Sequence, residues 1–199
     1  MDFGSYETLL LETDGSALVV TVNRPEAMNA LASAVVEDLL ALTEKLAAVG
    51  IDAQWPIRGI ILTGAGEKAF VAGADIREMT SMSSDAAEAY ARQMHTVTTR
   101  LEALPVPVIA AVNGFALGGG CELALACDFI YAGARASFGQ PEVNLGLVPG
   151  FGGSVRLQQR VGLGHARELI YTGRRSTDAA ARRIGLANAV VADAAALLA

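Results

Sequence analysis

Histidine and cysteine are nearly missing from this 199-residue chain, with two of each, and charged residues make up only 18%. Low charge beside 52% hydrophobic residues and a mean hydropathy of +0.39 excludes disorder for most of the chain. The charge that is present leans acidic, to a formal net −6. Nucleic acid or an anionic membrane would call for a basic footprint, so no nucleic-acid or membrane partner is expected. Several catalytic signatures are also absent: no G-x-x-x-x-G-K-[ST], no G-x-G-x-x-G after a strand, no H-E-x-x-H, no C-x-x-C and no G-x-S-x-G. His95 and His165 sit among polar residues in helical patterns, which reads as surface placement. The expected metal set is therefore none, and zinc and serine-protease chemistry are disfavoured.

The first residues, Met1–Glu7, carry neither the basic region nor the apolar run of a signal peptide. The longest uncharged stretch, Ala103–Cys121, is broken by Pro105, Pro107, Asn113-Gly114 and Gly118-Gly-Gly120. Such breakers make it a buried strand, a turn and a loop rather than a membrane span. Cys121 and Cys127, placed on one helix, are separated by a rise of about 9 Å, too far for a disulfide. The cytoplasm, or an organelle matrix, is the expected compartment.

No linker or low-complexity tract divides the chain, so one domain over residues 1–199 is expected. Glu7–Leu11 and Ala17–Asn23 flank Thr13-Asp-Gly-Ser16 as a β-hairpin. Leu31, Val35, Leu39, Leu42, Leu46 and Val49 recur at helical spacing, with Gly50 as a stop. Ile57–Leu62 reads as a buried strand, and a loop through Phe70–Asp75 leads to a short helix near Ile76–Met79. Ser84-Asp85 is placed as the cap of a second long helix that ends before Pro105. Val106–Val112 is a strand buried on both faces, Cys121–Cys127 a helix opened by the glycine triplet, and Asp128–Ala132 the next strand. A Gly- and Pro-rich loop runs from Gln140 to Gly153, and helices start at Ser154, at His165 and at Ser176-Thr-Asp178. Strands alternating with helices give an α/β fold class, with sites in the strand-to-helix loops.

Two glycine-rich loops and two isolated acids stand out. Gly118-Gly-Gly120 precedes a helix, so its free N–H groups face whatever lies before the helix, with the positive end of the dipole behind them. Close backbone packing explains such glycines equally well. Val71–Asp75 occupies a similar strand-to-helix position, and two converging N–H donors would stabilise an enolate oxygen. Glu122, in the first turn of a Leu/Ala/Cys helix, has a plain alternative as a helix-start acid. Glu142, in Phe138-Gly-Gln-Pro-Glu-Val143, has one as a loop acid bound by backbone donors. Together the two carboxylates form an acid/base pair in low-charge surroundings, where one can activate water while the other moves a proton at carbon.

Three runs carry a specific resemblance: Ala69-Phe-Val-Ala-Gly-Ala-Asp-Ile76, Pro107–Leu123 with its Gly118-Gly-Gly-Cys-Glu122, and Phe138–Gly153 with its Gly-Gln-Pro-Glu142. In this order and spacing the chain resembles the enoyl-CoA hydratase (crotonase) family, with weaker agreement from Tyr6 through Asn188. The resemblance implies a crotonase-like superhelix of ββα units, and trimers or dimers of trimers. It also implies an acyl-CoA thioester as substrate and no cofactor, coenzyme A entering as part of the substrate. It assigns the backbone N–H groups of Ala74 and Gly119 to an oxyanion hole, and Glu122 and Glu142 to catalysis. Arg24, Ala72, Ala74, Asp75 and Ile76 become coenzyme A or substrate contacts. Family members with both glutamates hydrate 2-enoyl-CoA, so hydratase is expected before 3,2-enoyl-CoA isomerase or a branched 3-hydroxyacyl-CoA dehydratase. Two departures accompany the match. Ile51–Pro56 lengthens a helix-to-strand connection, with Trp55 expected to serve packing. The chain also stops short of the C-terminal helical region of relatives, so a truncated core is expected, with a non-catalytic acyl-CoA-binding fragment as the remaining alternative.

Overall fold

The computed structural model describes residues 3–49, 54–192 and 195–198. The helix stop assigned to Gly50, the first half of the Ile51–Pro56 insertion and the start of the Asp193–Ala199 segment lie outside these residues. Trp55 itself is half-buried against the core.

The hairpin forms from β1 (Leu9–Asp14) and β2 (Ala17–Val22), antiparallel, with Leu9 opposite Val22 and Asp14 opposite Ala17. The first strand runs over Leu9–Asp14 rather than Glu7–Leu11, reaching past Leu11 because the turn closes on Gly15-Ser16 alone, with Gly15 at a positive φ of 56°. Next comes α1 (Ser33–Ala47), whose Val35, Val36, Leu39, Leu42 and Leu46 are buried on one face. That face packs on Tyr90, Met94, Val97 and Leu101 of α3 (Ser84–Glu102). Each fully buried Leu or Val of this interface contributes about 1.5–3 kcal/mol. The cap of α3 is Ser83, one residue before the expected Ser84: its hydroxyl accepts from Ala86 N at 3.2 Å. Helix α1 lacks a side-chain cap of its own. Glu78 of the short α2 (Ile76–Met79) serves instead, accepting from the Ser33 N–H and hydroxyl at 2.8 Å each.

After the hairpin the chain repeats one device. A strand joins a large sheet, a second short strand joins a small sheet, and a helix or helical turn follows. Thus β3 (Gly59–Gly64) is followed by β4 (Ala69–Val71), β5 (Val108–Val112) by β6 (Phe115–Leu117), and β7 (Phe129–Gly133) by β8 (Ser137–Gly139). With β9 (Ser176–Thr177) and β10 (Ala189–Val191), the large sheet runs β1-β2-β3-β5-β7-β10 and the small one β4-β6-β8-β9. Neighbours are parallel except in the pairs β1–β2 and β8–β9. A shared direction in β4, β6 and β8 delivers the segments after them to one side of the molecule, the usual place for a site in parallel sheets.

Side chains and bare glycines hold the two sheets together. Asn113 donates to the carbonyls of Gly64 and Gly66 at 2.8 Å, and buried Asn29 donates to those of Ala65 and Ala69. A Cβ at Gly120 would collide with the Val71 carbonyl, so α4 (Gly119–Leu125) lies directly on β4. The expected helices from Ser154 and His165 are one assigned element, α5 (Gly153–Thr172), broken at Gly162 (φ 76°, ψ 161°). The last helix, α6 (Asp178–Arg183), is capped by Thr177. No helix among the described residues is long and apolar enough to cross a membrane.

Candidate active site

Ala74 owes its orientation to a single parallel bridge with Leu31. Leu31 N donates to Gly73 O at 2.8 Å and Asp75 N donates to Leu31 O at 3.1 Å. In a parallel pairing the central residue points its own N–H the other way, so the Ala74 amide is left for the cavity that Ala74 lines. Tyr90 tightens this bridge, its hydroxyl donating to the same Leu31 carbonyl at 2.6 Å.

Gly119 opens α4, where backbone N–H groups have no helical acceptor. Gly118 turns the chain into the helix at φ 50°, ψ −123°, and its own N–H is bound to Gly139 O at 2.9 Å. Both positions need glycine. A Cβ on Gly119 would stand 2.5 Å from the Phe151 ring, and one on Gly118 would stand 3.1 Å from Glu142 Oε1.

Glu122 is 1% exposed, yet it is well served. Its Oε1 accepts from the backbone N–H groups of Phe151 and Gly153, both at 2.7 Å. Burial pushes its carboxyl up from the usual range, while those donors and the charge of Arg156 pull it back. Glu142 lies in a 3-10 turn, Pro141–Leu145, that replaces the first part of the expected loop. Burial is also the main influence there and lifts its pKa to about 7, with its own backbone N–H opposing and the Glu122 charge adding. Gln140, 1% exposed, places its amide nitrogen 2.8 Å from Glu142 Oε1 and 3.2 Å from Oε2 in the orientation that satisfies both groups.

Ala74, Ile76, Gly119, Glu122 and Glu142 all line one cavity of about 260 Å³. Its other walls are apolar, including Met79, Leu145, Val148, Tyr90 and Phe151, the last two in edge-to-face contact at 5.5 Å. Arg24, Ala72 and Asp75 do not line it. Arg24 pairs with Asp75 at 3.4 Å and donates to Ala30 O at 2.9 Å, Asp75 caps α2, and Ala72 N donates to Met28 O. Those three therefore brace the loop that carries Ala74. Tyr90 and Gln140 were not singled out from sequence. Tyr90 falls in the apolar stripe of α3, and only its hydroxyl hinted at a polar partner inside. His95 and His165 are exposed, and no group of three His, Cys, Asp or Glu among the described residues is arranged to hold a metal ion.

The enoyl-CoA hydratase/isomerase family matches residues 12–198. A short-chain-enoyl-CoA hydratase of Clostridium acetobutylicum is 49% identical over 183 residues, covering 92% of this chain and 68% of the relative. A crotonyl-CoA hydratase of Syntrophomonas wolfei is 48% identical over 187 residues, covering 94% and 70%. Among solved structures, an enoyl-CoA hydratase from Bacillus anthracis superposes with a TM-score of 0.90 at 39% identity, covering 96% of this chain and 72% of that one. The doubled-strand repeat described above is thus the crotonase fold, as the resemblance implied.

Proposed function

The chain belongs to the enoyl-CoA hydratase/isomerase family, and on that premise we propose that it adds water reversibly across the double bond of a short 2-trans-enoyl-CoA. The product is a 3-hydroxyacyl-CoA. One observation carries the reading: two carboxylates of different environment share a small apolar cavity with Ala74 and Gly119.

Glu122, ionised and fixed by two N–H donors, takes a proton from water as the water oxygen bonds to C3. The electron pair of the C2=C3 bond moves toward the thioester carbonyl, whose oxygen gains charge facing Ala74 N–H and Gly119 N–H. Glu142, protonated near neutral pH, delivers its proton to C2, and the pair returns from the enolate to form that C–H bond. Dehydration runs the same steps backwards. Carboxylates and amides supply all that this step requires, so no metal or nucleotide cofactor is assigned.

Arg24, Ala72, Asp75 and Ile76 are assigned to the coenzyme A side, since they border the Ala74 loop outside or at the mouth of the cavity. A trimer or dimer of trimers is the proposed assembly, and the cytoplasm or an organelle matrix the proposed compartment. The cavity volume and the Tyr90–Phe151 contact favour short acyl groups. Added crotonyl-CoA should lose its conjugated-thioester absorbance, and Glu122→Gln or Glu142→Gln should each cost about 10²–10⁴-fold in kcat. Full activity in both variants would overturn the assignment.

A further inference from the structure

The loop that feeds Glu122 is itself held from outside the cavity. Three consecutive peptide units run from Gly150 to Gly153. The first and third supply the Phe151 and Gly153 N–H groups that bind Glu122 Oε1. The middle one is gripped by Arg156, whose Nη1 donates to Phe151 O at 2.9 Å. The same guanidinium forms a two-point fork with Glu102 at the end of α3, Nε to Oε1 and Nη2 to Oε2, both at 2.7 Å. Gly152 leaves room for it: at φ 100° any side chain there would run into Arg156. A cation in the first turn of α5 is disfavoured by the helix dipole, so its position calls for another cause. The Arg156 side chain is 12% exposed and that of Glu102 is 43% exposed.

We propose that Arg156 and Glu102 are positioning residues for Glu122: the fork locks the middle peptide of the Gly150–Gly153 turn, and so aims its two flanking N–H groups at the carboxylate that handles water. This inference rests on the hydratase reading. The Arg156 charge also favours ionised Glu122. The other groups that face Glu122 are Glu142 on the 3-10 turn, Tyr90 on α3 and the neighbouring Cys121 thiol on α4, and each of them disfavours or does not aid a further negative charge. Losing Arg156 therefore moves the ionisation of Glu122 to higher pH, and the acidic limb of kcat/KM follows it.

The test is the pH profile of crotonyl-CoA hydration for the whole chain, Arg156→Met and Glu102→Gln. Arg156→Met should lose roughly tenfold or more in kcat and shift its acidic limb upward by roughly one pH unit. Glu102→Gln, a change at the rim of the protein, should lose roughly threefold or more in kcat with KM held within about twofold. Should Arg156→Met not fold, Glu102→Gln decides alone. A fork that only staples α3 to α5 would lower the melting temperature and leave kcat and the limb in place at permissive temperature, which would overturn the proposal. No hydration by the unaltered chain would instead overturn the functional reading beneath it.

Discussion

The two glutamates occupy one cavity but stand on opposite kinds of support. Glu122 grows from the first turn of α4, 1% exposed, with two backbone donors at 2.7 Å behind it. Glu142 sits in a short 3-10 turn whose neighbours Val143, Leu145, Leu147 and Val148 are exposed, and its defined side-chain partner is the Gln140 amide. Rigid, donor-rich burial suits a group that must be ionised and correctly aimed when water arrives. A half-buried carboxyl with few donors suits one that must carry a proton near neutral pH and part with it. In the proposed mechanism the two like residues divide their labour according to how many N–H groups the backbone turns toward each.

The hardest way to break this contrast is to displace Glu122 without changing it. A Cβ at Gly153 would lie 2.8 Å from Glu122 Cγ and 2.9 Å from Oε1, while its amide must still donate. Gly153→Ala should cut kcat by roughly 100-fold or more while the fold persists, as steady-state kinetics beside circular dichroism would reveal.

The next effect is on pH. Glu142 must be protonated for hydration, so hydration should fall as pH rises through about 7, while dehydration of 3-hydroxybutyryl-CoA should rise over the same range. Stability follows the same group. Its pKa is raised above the unfolded value of 4.5, so native protein binds the proton more tightly, and that stabilisation is lost as pH rises through about 7. Glu142→Gln should therefore look more stable relative to the parent at pH 8 than at pH 5; equal differences in melting temperature at both would argue against the burial effect.

The smallest expected effect is at Tyr90. Tyr90→Phe keeps the ring against Phe151 but removes the donor to Leu31 O. About 1 kcal/mol of stability should go, since Leu31 O retains Asp75 N as a donor. A lowered kcat with little change in KM would place the loss in the Ala74 amide rather than in binding.

These contrasts were unequally legible in the sequence. Helices α1 and α3 announced themselves, because long apolar stripes at 3.6-residue spacing leave little else to be. The three-residue strands β4, β6 and β8 did not: each is too short to show alternation, and each borders glycine or small residues that read as loop. Yet these strands form the sheet that carries Ala74, Gly119 and Glu142 to one cavity. Glu122, Glu142, Ala74 and Gly119 stand out by motif and resemblance, and all four line that cavity. Tyr90 and Arg156 could not be read, because the partners that give them meaning lie 59 positions away at Leu31 and 54 away at Glu102.

In the proposed mechanism Glu142 owns the proton at C2 and Glu122 owns the water. Exchange of the C2 hydrogens of butyryl-CoA with solvent deuterium, followed by NMR, separates the two because no hydroxyl group is involved. Glu142→Gln should abolish this exchange, while Glu122→Gln should keep it even as hydration of crotonyl-CoA is lost. Exchange surviving in Glu142→Gln and vanishing in Glu122→Gln would contradict the assignment of roles.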